Sequence, residues 1–355
     1  MSVITLPQLL QTVTHFKASD LHLLVNSEPK IRIDGSLQPL DIPKFTGTLL
    51  QTLLYSILTD VQKKKFEEFK ELDFAFEIPD IGRFRANYYI ERTNIAAAFR
   101  IIPQDIPSME QLNFPPILKE LTHTEKGLIL VTGPTGSGKS TTMASMIDAI
   151  NAHQNSHIIT IEDPVEFLHQ HKKSLISQRN VGEDTASFAD ALKYALRQDP
   201  DIIYVGEMRD VETIRAAITA AETGHLVFGT LHTNSAVQTL NRIINVFPSD
   251  EQAMVRTQLS MNLVSVISQV LIPKLGGGRV AIQEIMINTP AISNLVREEK
   301  QHQIYAQMQL NQQNTRMQTQ SQELIRAFRE HLISQEDALK YASSLDEVKR
   351  AIGAI

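Results

Sequence analysis

The segment "GPTGSGKS" at residues 133–140 constrains the fold of this 355-residue sequence more than any other segment. It matches the pattern G-x-x-x-x-G-K-[ST] and lies between an apolar run, "GLILVT", and a helical pattern, "GKSTTMASMIDAINAH". In this context the glycines let backbone N–H groups curl around phosphate oxygens at a helix N-terminus. The alternative, an ordinary Gly/Ser-rich loop before a helix, is disfavoured because pattern and context agree. The segment therefore predicts a strand–loop–helix unit that binds a nucleoside triphosphate.

The residue types of this loop are those that a triphosphate requires. Lys139 supplies a cation for the β- and γ-phosphates, and the Ser140 hydroxyl can bind Mg²⁺. The nucleotide-binding residues predicted from the motif form one continuous stretch: Gly133, Pro134, Thr135, Gly136, Ser137, Gly138, Lys139, Ser140 and Thr141. We therefore expect Mg²⁺ to accompany the nucleotide at this loop.

Acidic residues follow two other apolar runs. "DIIYVGE" ends at Glu207, and "IITIEDPVEF" presents Glu162, Asp163 and Glu166. A phosphate loop needs carboxylates at neighbouring strand ends to hold the metal and to orient the attacking water. One acidic residue after a strand is usually a solvated loop residue, but two such strand ends beside a phosphate loop favour catalysis. We predict that Glu166, Glu207 and Lys139 are catalytic, and that Ser140 and Glu207 bind the metal.

The segment "GHLVFGTLHT" carries a histidine at each end, His225 and His232. In an extended strand these residues lie roughly 23 Å apart, so they cannot share a metal ion unless Gly229 folds the segment sharply. His232, at the C-terminal end of the strand, is placed to sense the γ-phosphate. His225 is then expected to face a neighbouring domain or subunit. Two hydrogen-bonded structural histidines are an equally supported alternative.

Several arginines could stabilise charge on a transferring phosphoryl group. Arg83 and Arg85 share one face of a predicted strand, and Arg92 and Arg100 follow. They are either solvated strand residues or arginines that act on the nucleotide of a neighbouring subunit. Further candidates in the second half of the chain are Arg179, Arg197 and Arg209.

The pattern of apolar residues divides the chain. In residues 1–105, segments that alternate in period two accompany a stretch of helical periodicity, which predicts a small antiparallel α+β domain. The proline-rich residues 106–121 predict a linker. Residues 122–355 alternate strand and helix, which predicts an α/β domain with a mainly parallel sheet. This domain is expected to be helical from about residue 290, with a polar, exposed or mobile connection at the glutamine-rich residues 301–322.

Composition limits the remaining function classes. The chain has no cysteine, which removes disulfides and thiolate zinc sites. Its net charge of −6 gives no global reason to bind nucleic acid. The N-terminus does not match a signal peptide, and no apolar run approaches the roughly 20 residues of a membrane helix. We expect a cytoplasmic protein that does not insert into the membrane and binds no nucleic acid.

The motifs in this order resemble one family. "GPTGSGKSTT", "IEDPVEF", "VGEMRD" and "TAAETGHLVFGTLHT" are similar to the Walker A, Asp-box, Walker B and His-box motifs of the secretion-superfamily ATPases. The early "ASDLHL" and "RIDG" resemble the N-terminal motifs of the same family. Within this superfamily the chain resembles the retraction ATPases of type IV pili, which power twitching motility. Extension and secretion ATPases usually carry extra N-terminal sequence and a tetracysteine zinc motif, and neither is present here.

The resemblance implies a PAS-like N-terminal domain, a RecA-like ATPase domain and a homohexameric ring at the cytoplasmic face of the inner membrane. It implies ATP and Mg²⁺ as ligands and Glu166 as the general base. It also assigns His225 and His232 to the His box, Glu162 and Asp163 to the Asp box, and Arg83, Arg85 and Arg100 to nucleotide contacts across the ring. The implied partner is the inner-membrane platform protein of the pilus, and whether a second retraction ATPase assists is left open.

The sequence departs from the family in two places. Ser293 replaces an arginine in "AISNLVRE", and a glycine is absent from "TRMQT" at residues 315–319. The resemblance implies that this C-terminal region matters for retraction of the pilus more than for ATP hydrolysis. The alternatives to a retraction motor are an extension or secretion ATPase, a weakly hydrolysing accessory subunit of the motor, and, with less support, a DNA-translocating ring.

Overall fold

The structure is a computed structural model that describes residues 4–16, 18–33, 36–102, 105–310 and 312–353. The chain divides into two compact units, Met1–Asp105 and Ile106–Ile355. Among these residues, buried apolar side chains form one cluster in the first unit and three in the second. No helix within the described residues combines the length and apolar character needed to cross a bilayer.

The first unit is built on an antiparallel sheet. Its strands are β1 (Asp20–Leu23), β2 (Lys30–Ile33), β3 (Ser36–Pro39), β4 (Glu71–Ile78), β5 (Gly82–Glu91) and β6 (Asn94–Ile102). They lie in the order β3-β2-β1-β6-β5-β4. The turn between β2 and β3, Asp34-Gly35, belongs to the "RIDG" motif and lies outside the described residues.

Helices cover this sheet: α1 (Leu6–His15), α2 (Gly47–Tyr55) and α3 (Asp60–Phe69). α2 and α3 are separate helices because Thr59 forms a capping box with Gln62 and starts a new helix there. The buried aromatic rings of Tyr88 and Phe99 pack edge to face, and the Tyr88 hydroxyl donates a hydrogen bond to the Leu54 carbonyl (3.0 Å). These contacts fix the helical layer against the sheet.

The second unit contains a larger sheet. Its strands are β7 (Gly127–Thr132), β8 (His157–Glu162), β9 (Leu175–Asn180), β10 (Ile202–Val205), β11 (Leu226–Leu231), β12 (Leu263–Pro273) and β13 (Arg279–Ile287). They lie in the order β13-β12-β7-β11-β10-β8-β9. All neighbours pair in parallel except β12 and β13, which form an antiparallel hairpin. The carboxyl ends of β7, β8, β10 and β11 therefore meet at one edge, where ligands bind in such sheets.

Helices fill the connections between these strands and the C-terminal part of the unit. They are α4 (Pro116–Leu121), α5 (Lys139–His153), α6 (Phe188–Ala195), α7 (Val211–Glu222), α8 (Ala236–Asn245), α9 (Gln252–Asn262), α10 (Pro290–Arg297), α11 (Ile304–Met308), α12 (Gln312–Thr315), α13 (Gln320–Arg329), α14 (Gln335–Lys340) and α15 (Leu345–Ile352). A short 3₁₀ turn spans Gln301–Gln303. The predicted fold class is confirmed: an α+β unit precedes an α/β unit whose C-terminal part is helical.

Two segments differ from their predictions. The predicted linker, residues 106–121, lies within the second unit, where Met109, Leu118 and Leu121 are buried in a core cluster. The predicted polar connection, residues 301–322, is also anchored, because Ile304 and Met308 are fully buried in the main core. In both segments the burial of a few apolar side chains attaches the chain to the core, although the surrounding residues are mostly prolines or polar residues.

Candidate nucleotide-binding site

The phosphate loop runs from Gly133 to Gly138, between the end of β7 and the start of α5. Gly138 has φ +86°, a left-handed conformation that side chains with a Cβ rarely adopt. At Gly133 a Cβ would overlap the backbone carbonyl oxygen of Gln269 on β12. Both glycines adopt a positive φ, and Gly133 is required in addition by its close contact with the sheet.

Lys139 begins α5 and turns back over the loop. Its Nζ donates hydrogen bonds to the carbonyl oxygens of Gly133 (2.8 Å) and Pro134 (3.2 Å). Burial lowers the pKa of Lys139, whereas the charges of Glu207 and Glu166 act to raise it. The structure therefore brings together the cation and the two carboxylates that the sequence predicts as catalytic.

Glu207 lies two residues beyond the end of β10, and its carboxylate has two partners. Arg209 donates to both carboxylate oxygens, through Nε and through Nη2 (2.6 Å). His232, one residue beyond β11, places its Nε2 3.1 Å from Glu207 Oε1. Burial would raise the pKa of Glu207, but Arg209 and His232 outweigh it and hold the pKa below its usual value. Glu207 is thus maintained as a carboxylate at the edge where the phosphate loop lies.

The two histidines occupy opposite ends of β11. His225 precedes the strand, and its Nδ1 lies 3.0 Å from the Ala220 carbonyl and 3.2 Å from the Thr223 hydroxyl. Gly229 does not fold the segment, because it lies inside a regular parallel pairing with β10 and β7. His225 therefore has local partners at the end of α7, whereas His232 reaches the candidate site.

Gly229 has a different role within β11. A Cβ at this position would collide with the Met208 side chain. Met208 directly follows Glu207 and is buried in the core. The missing side chain of Gly229 thus provides the space in which Met208, the residue after Glu207, packs.

Glu162 is the last residue of β8 and is only 8% exposed. It accepts hydrogen bonds from the Thr160 hydroxyl (2.7 Å), the Gln178 amide (3.3 Å) and the backbone N–H of Glu166. Burial raises the pKa of Glu162 to about 7 despite these three donors. Its predicted partner in the motif, Asp163, is exposed. Glu162 is therefore a buried acceptor for the backbone of Glu166 and does not face the solvent.

We call residues 163–169 the Asp-box segment. Asn180 accepts a hydrogen bond from the Val165 backbone N–H (2.8 Å) through Oδ1. Gln178 donates to the Phe167 carbonyl (2.9 Å) and accepts from the His169 backbone N–H (2.8 Å). Glu166 itself is exposed at the centre of this segment. Two side chains of β9 thus hold the backbone on either side of the predicted general base.

Three residues of the site were not predicted from the sequence: Gln178, Asn180 and Gln269. Gln178 and Asn180 alternate along β9, which pairs with β8 in parallel, so both can face the segment that follows β8. Gln269, together with Ser268, interrupts the apolar run "VISQVLIP" of β12. A buried amide in a core strand requires partners, and this was the signal available in the sequence.

The predicted arginines lie in different surroundings. Arg85 and Arg100 are directly opposite each other on β5 and β6 of the first unit. Arg100 pairs with Asp20 (2.8 Å), and Arg85 lies 3.9 Å from Asp73. Arg83 is on β5 two residues before Arg85, opposite Ile102. Their action on a neighbouring subunit's nucleotide stays a prediction, whereas Arg209 contacts Glu207 within the second unit.

The donors at this site fit Mg²⁺. Mg²⁺ usually takes one or two protein oxygens and completes its shell with phosphate oxygens and water. Ser140 is half-buried in the first turn of α5, and Glu207 offers a carboxylate at the same edge of the sheet. Among the residues that the structure describes, no group of three or more His, Cys, Asp or Glu side chains could hold a metal ion alone. The donor set thus suits a metal that arrives with the nucleotide.

A glycine-rich loop between a parallel strand and a helix, with carboxylates at neighbouring strand ends, defines a P-loop nucleoside triphosphatase. A family model described as "Type II/IV secretion system protein" matches residues 3–278. The chain belongs to this family, and the resemblance predicted from its motifs is confirmed.

Within this family, the chain is similar to individual proteins over most of its length. The chain is 55% identical to the type IV pilus retraction ATPase PilT of Pseudomonas aeruginosa, over 82% of this chain and 85% of the relative. It is 48% identical to a twitching motility protein of Neisseria gonorrhoeae, over 90% of this chain and 86% of that protein. A crystal structure of the pilus retraction motor PilT with bound ADP superposes with a TM-score of 0.92 at 49% identity and covers 98% of this chain and 99% of that one.

Proposed function

We propose that this chain is an ATPase motor that powers the retraction of type IV pili. The observation that carries the proposal is its 55% identity to a pilus retraction ATPase over most of both chains. The grouping of Lys139, Glu166 and Glu207 around one phosphate loop supports hydrolysis rather than binding alone. The reaction is the conversion of ATP and water to ADP and phosphate.

Each residue of the site has a defined role in this reaction. The backbone N–H groups of residues 133–141 and the Lys139 cation bind the β- and γ-phosphates. Glu166 orients a water molecule in line with the γ-phosphorus and accepts its proton as the bond to ADP breaks. His232 senses the γ-phosphate from beside Glu207. Mg²⁺, held by Ser140 and Glu207, would neutralise charge on the phosphates when bound.

The motor acts as an assembly in this proposal. Six copies form a ring at the cytoplasmic face of the inner membrane and act on the platform protein of the pilus. Arg83, Arg85 and Arg100 stabilise the charge of the transferring phosphoryl group in the neighbouring subunit. His225, at the other end of β11 from His232, faces a neighbouring domain or subunit.

A comparison of ATPase rates tests the enzymatic part of the proposal. The purified wild-type protein should hydrolyse ATP with Mg²⁺, and Glu166→Ala should lower kcat about 10² to 10⁴ times, the range expected for loss of a general base. Indistinguishable rates would instead indicate a nucleotide-binding accessory subunit.

The direction of work requires a cellular measurement. Deletion of the gene should leave cells with excess surface pili that do not twitch, because pilins are added but not removed. Complementation with the wild-type gene should restore twitching, and complementation with the Glu166→Ala variant should not. Cells without pili after the deletion would identify an extension or secretion motor.

A further inference from the structure

One polar side chain behind the phosphate loop has no assigned role. Gln269 lies on β12, next to β7, and is only 4% exposed. A buried amide has two donor hydrogens and an acceptor oxygen, and leaving them unpaired in a core is costly. Its partners therefore show what it does.

The Gln269 amide bonds to both sides of the phosphate loop. Its Nε2 donates to the backbone carbonyl of Ser137 (2.7 Å), inside the loop. Its Oε1 accepts from the hydroxyl of Thr142 (2.9 Å), in the first turn of α5. Thr142 is also buried, so neither bond is replaced by solvent. One side chain thus connects the curve of the loop to the helix that follows it.

The backbone of the same residue contacts the beginning of the loop. The Gln269 carbonyl oxygen lies so close to Gly133 that a Cβ at Gly133 would overlap it. Gln269 therefore touches the loop at its first glycine, at Ser137 and, through Thr142, just beyond its end. These are the points that determine the curvature of the backbone N–H groups between them.

A second buried amide fixes the orientation of the first. Gln283, on the paired strand β13, donates from Nε2 to Gln269 Oε1 (3.4 Å). Because Oε1 also accepts from Thr142, the oxygen of Gln269 faces these two donors and its nitrogen faces Ser137. The reversed amide would lose both accepted bonds and place an oxygen against the Ser137 carbonyl.

We propose that Gln269 is a positioning residue that holds the phosphate loop in the curvature needed to bind the nucleotide. This inference rests on the proposed nucleotide-binding function of the loop. We do not expect Gln269 itself to contact the phosphates. It acts through the Ser137 carbonyl and the Thr142 hydroxyl, and its loss leaves both of these buried groups without a partner.

The test uses the full chain and calorimetric titration with ADP and Mg²⁺. Gln269→Met keeps the size of the side chain and removes the amide, and we expect affinity to fall about tenfold, within the range expected when buried hydrogen-bonding groups lose a partner. Gln269→Glu keeps the oxygen that accepts from Thr142 but loses the donor to Ser137, and it should show at least the same loss. In steady-state assays KM should rise by a similar factor while kcat at saturating ATP changes less than about threefold.

A matched control separates positioning from general destabilisation. Gln318, whose Nε2 donates to the Gln283 carbonyl (2.8 Å), lies on the far side of the same hairpin and does not touch the loop. Gln318→Met should lower the melting temperature without changing ADP affinity. Thr142→Val, which removes one bond of the same amide, should weaken ADP binding by a smaller factor and provides a second measurement if Gln269→Met does not fold.

The outcomes separate this inference from the proposed function. If wild-type protein binds ADP and folded Gln269→Glu and Thr142→Val bind it equally well, the positioning role is wrong and the ATPase function stands. A loss in Gln269→Met no larger than that in Gln318→Met would also overturn it. If the wild-type protein itself does not bind ADP with Mg²⁺, the proposed function fails first.

Discussion

The phosphate loop and the Asp-box segment lie at the same edge of one sheet but are held in different ways. The loop is shaped by its own glycines and by Gln269 beneath it. The Asp-box segment is held by side chains of neighbouring strands, chiefly Gln178 and Asn180. The loop carries its conformation largely in its own sequence, and the Asp-box segment is held by residues 9 or more positions away.

This difference separates binding from turnover. The phosphate loop grips parts of the nucleotide that are present before and after reaction, so changes there should alter affinity. The Asp-box segment presents Glu166 to the attacking water, so changes there should alter kcat with little effect on affinity.

The largest effect is expected at the phosphate loop itself. Lys139→Ala removes the charged donor to the β- and γ-phosphates, and MgATP affinity should fall about a hundredfold, the scale of a lost hydrogen bond from a charged group. Hydrolysis at cellular ATP concentrations should then be lost. Calorimetric titration measures the affinity, with Lys119→Ala, an exposed lysine of the same unit, as the control. Full affinity in Lys139→Ala would place the nucleotide elsewhere.

The second prediction concerns the buried carboxyl under the Asp-box segment. Burial raises the pKa of Glu162 to about 7, from an ordinary value of 4.5. As the pH rises, the unfolded chain loses this proton first, so the stability present below pH 4.5 is progressively lost up to about pH 7. This group should lower the free energy of unfolding by about 2 kcal/mol between about pH 5 and about pH 7.

Chemical denaturation at several pH values measures this effect. The Glu162→Gln variant cannot ionise, so the difference between its free energy of unfolding and that of the wild type should change with pH by the same amount. Parallel pH curves for the two proteins would contradict the assignment. ADP affinity should change little in this variant, since Glu162 contacts the Asp-box segment and not the phosphate loop.

The smallest effect is expected at β9. Gln178→Leu removes the bonds to the Phe167 carbonyl and the His169 N–H, and the less well-positioned Glu166 should lower kcat about tenfold. KM should stay within about twofold of wild type. Gln154→Leu, which removes a bond to the Thr122 carbonyl (2.8 Å) elsewhere in the unit, is the control. A rise in KM with unchanged kcat would remove the distinction between the two elements.

The sequence predicts those features whose determinants are contiguous. The phosphate loop, the apolar strands around it and the acidic residues that follow β8 and β10 are all local patterns, and the structure brings Lys139, Glu166 and Glu207 together. The supports of the site were not predictable in this way. Gln178 and Gln269 act across neighbouring strands, and strand order is not encoded in any short segment.

Composition misled the prediction at residues 301–322. The many glutamines suggested an exposed connection, but Ile304 and Met308 are four residues apart and share one face of α11. Two well-placed apolar residues are enough to anchor so short a helix in the core. The β12–β13 hairpin has a clear sequence signal, because Gly276, Gly277 and Gly278 separate two apolar runs. In the structure all three glycines adopt positive φ.

Gly229 limits how this chain can vary. The position lies inside a strand, where β-branched residues would otherwise be favoured, yet a Cβ there would overlap the sulfur of Met208, the residue next to Glu207. Even Gly229→Ala would require the Met208 side chain to move, although position 229 touches no ligand. A larger residue at 229 would need a rearranged or smaller side chain at 208, so we expect these two positions to vary together.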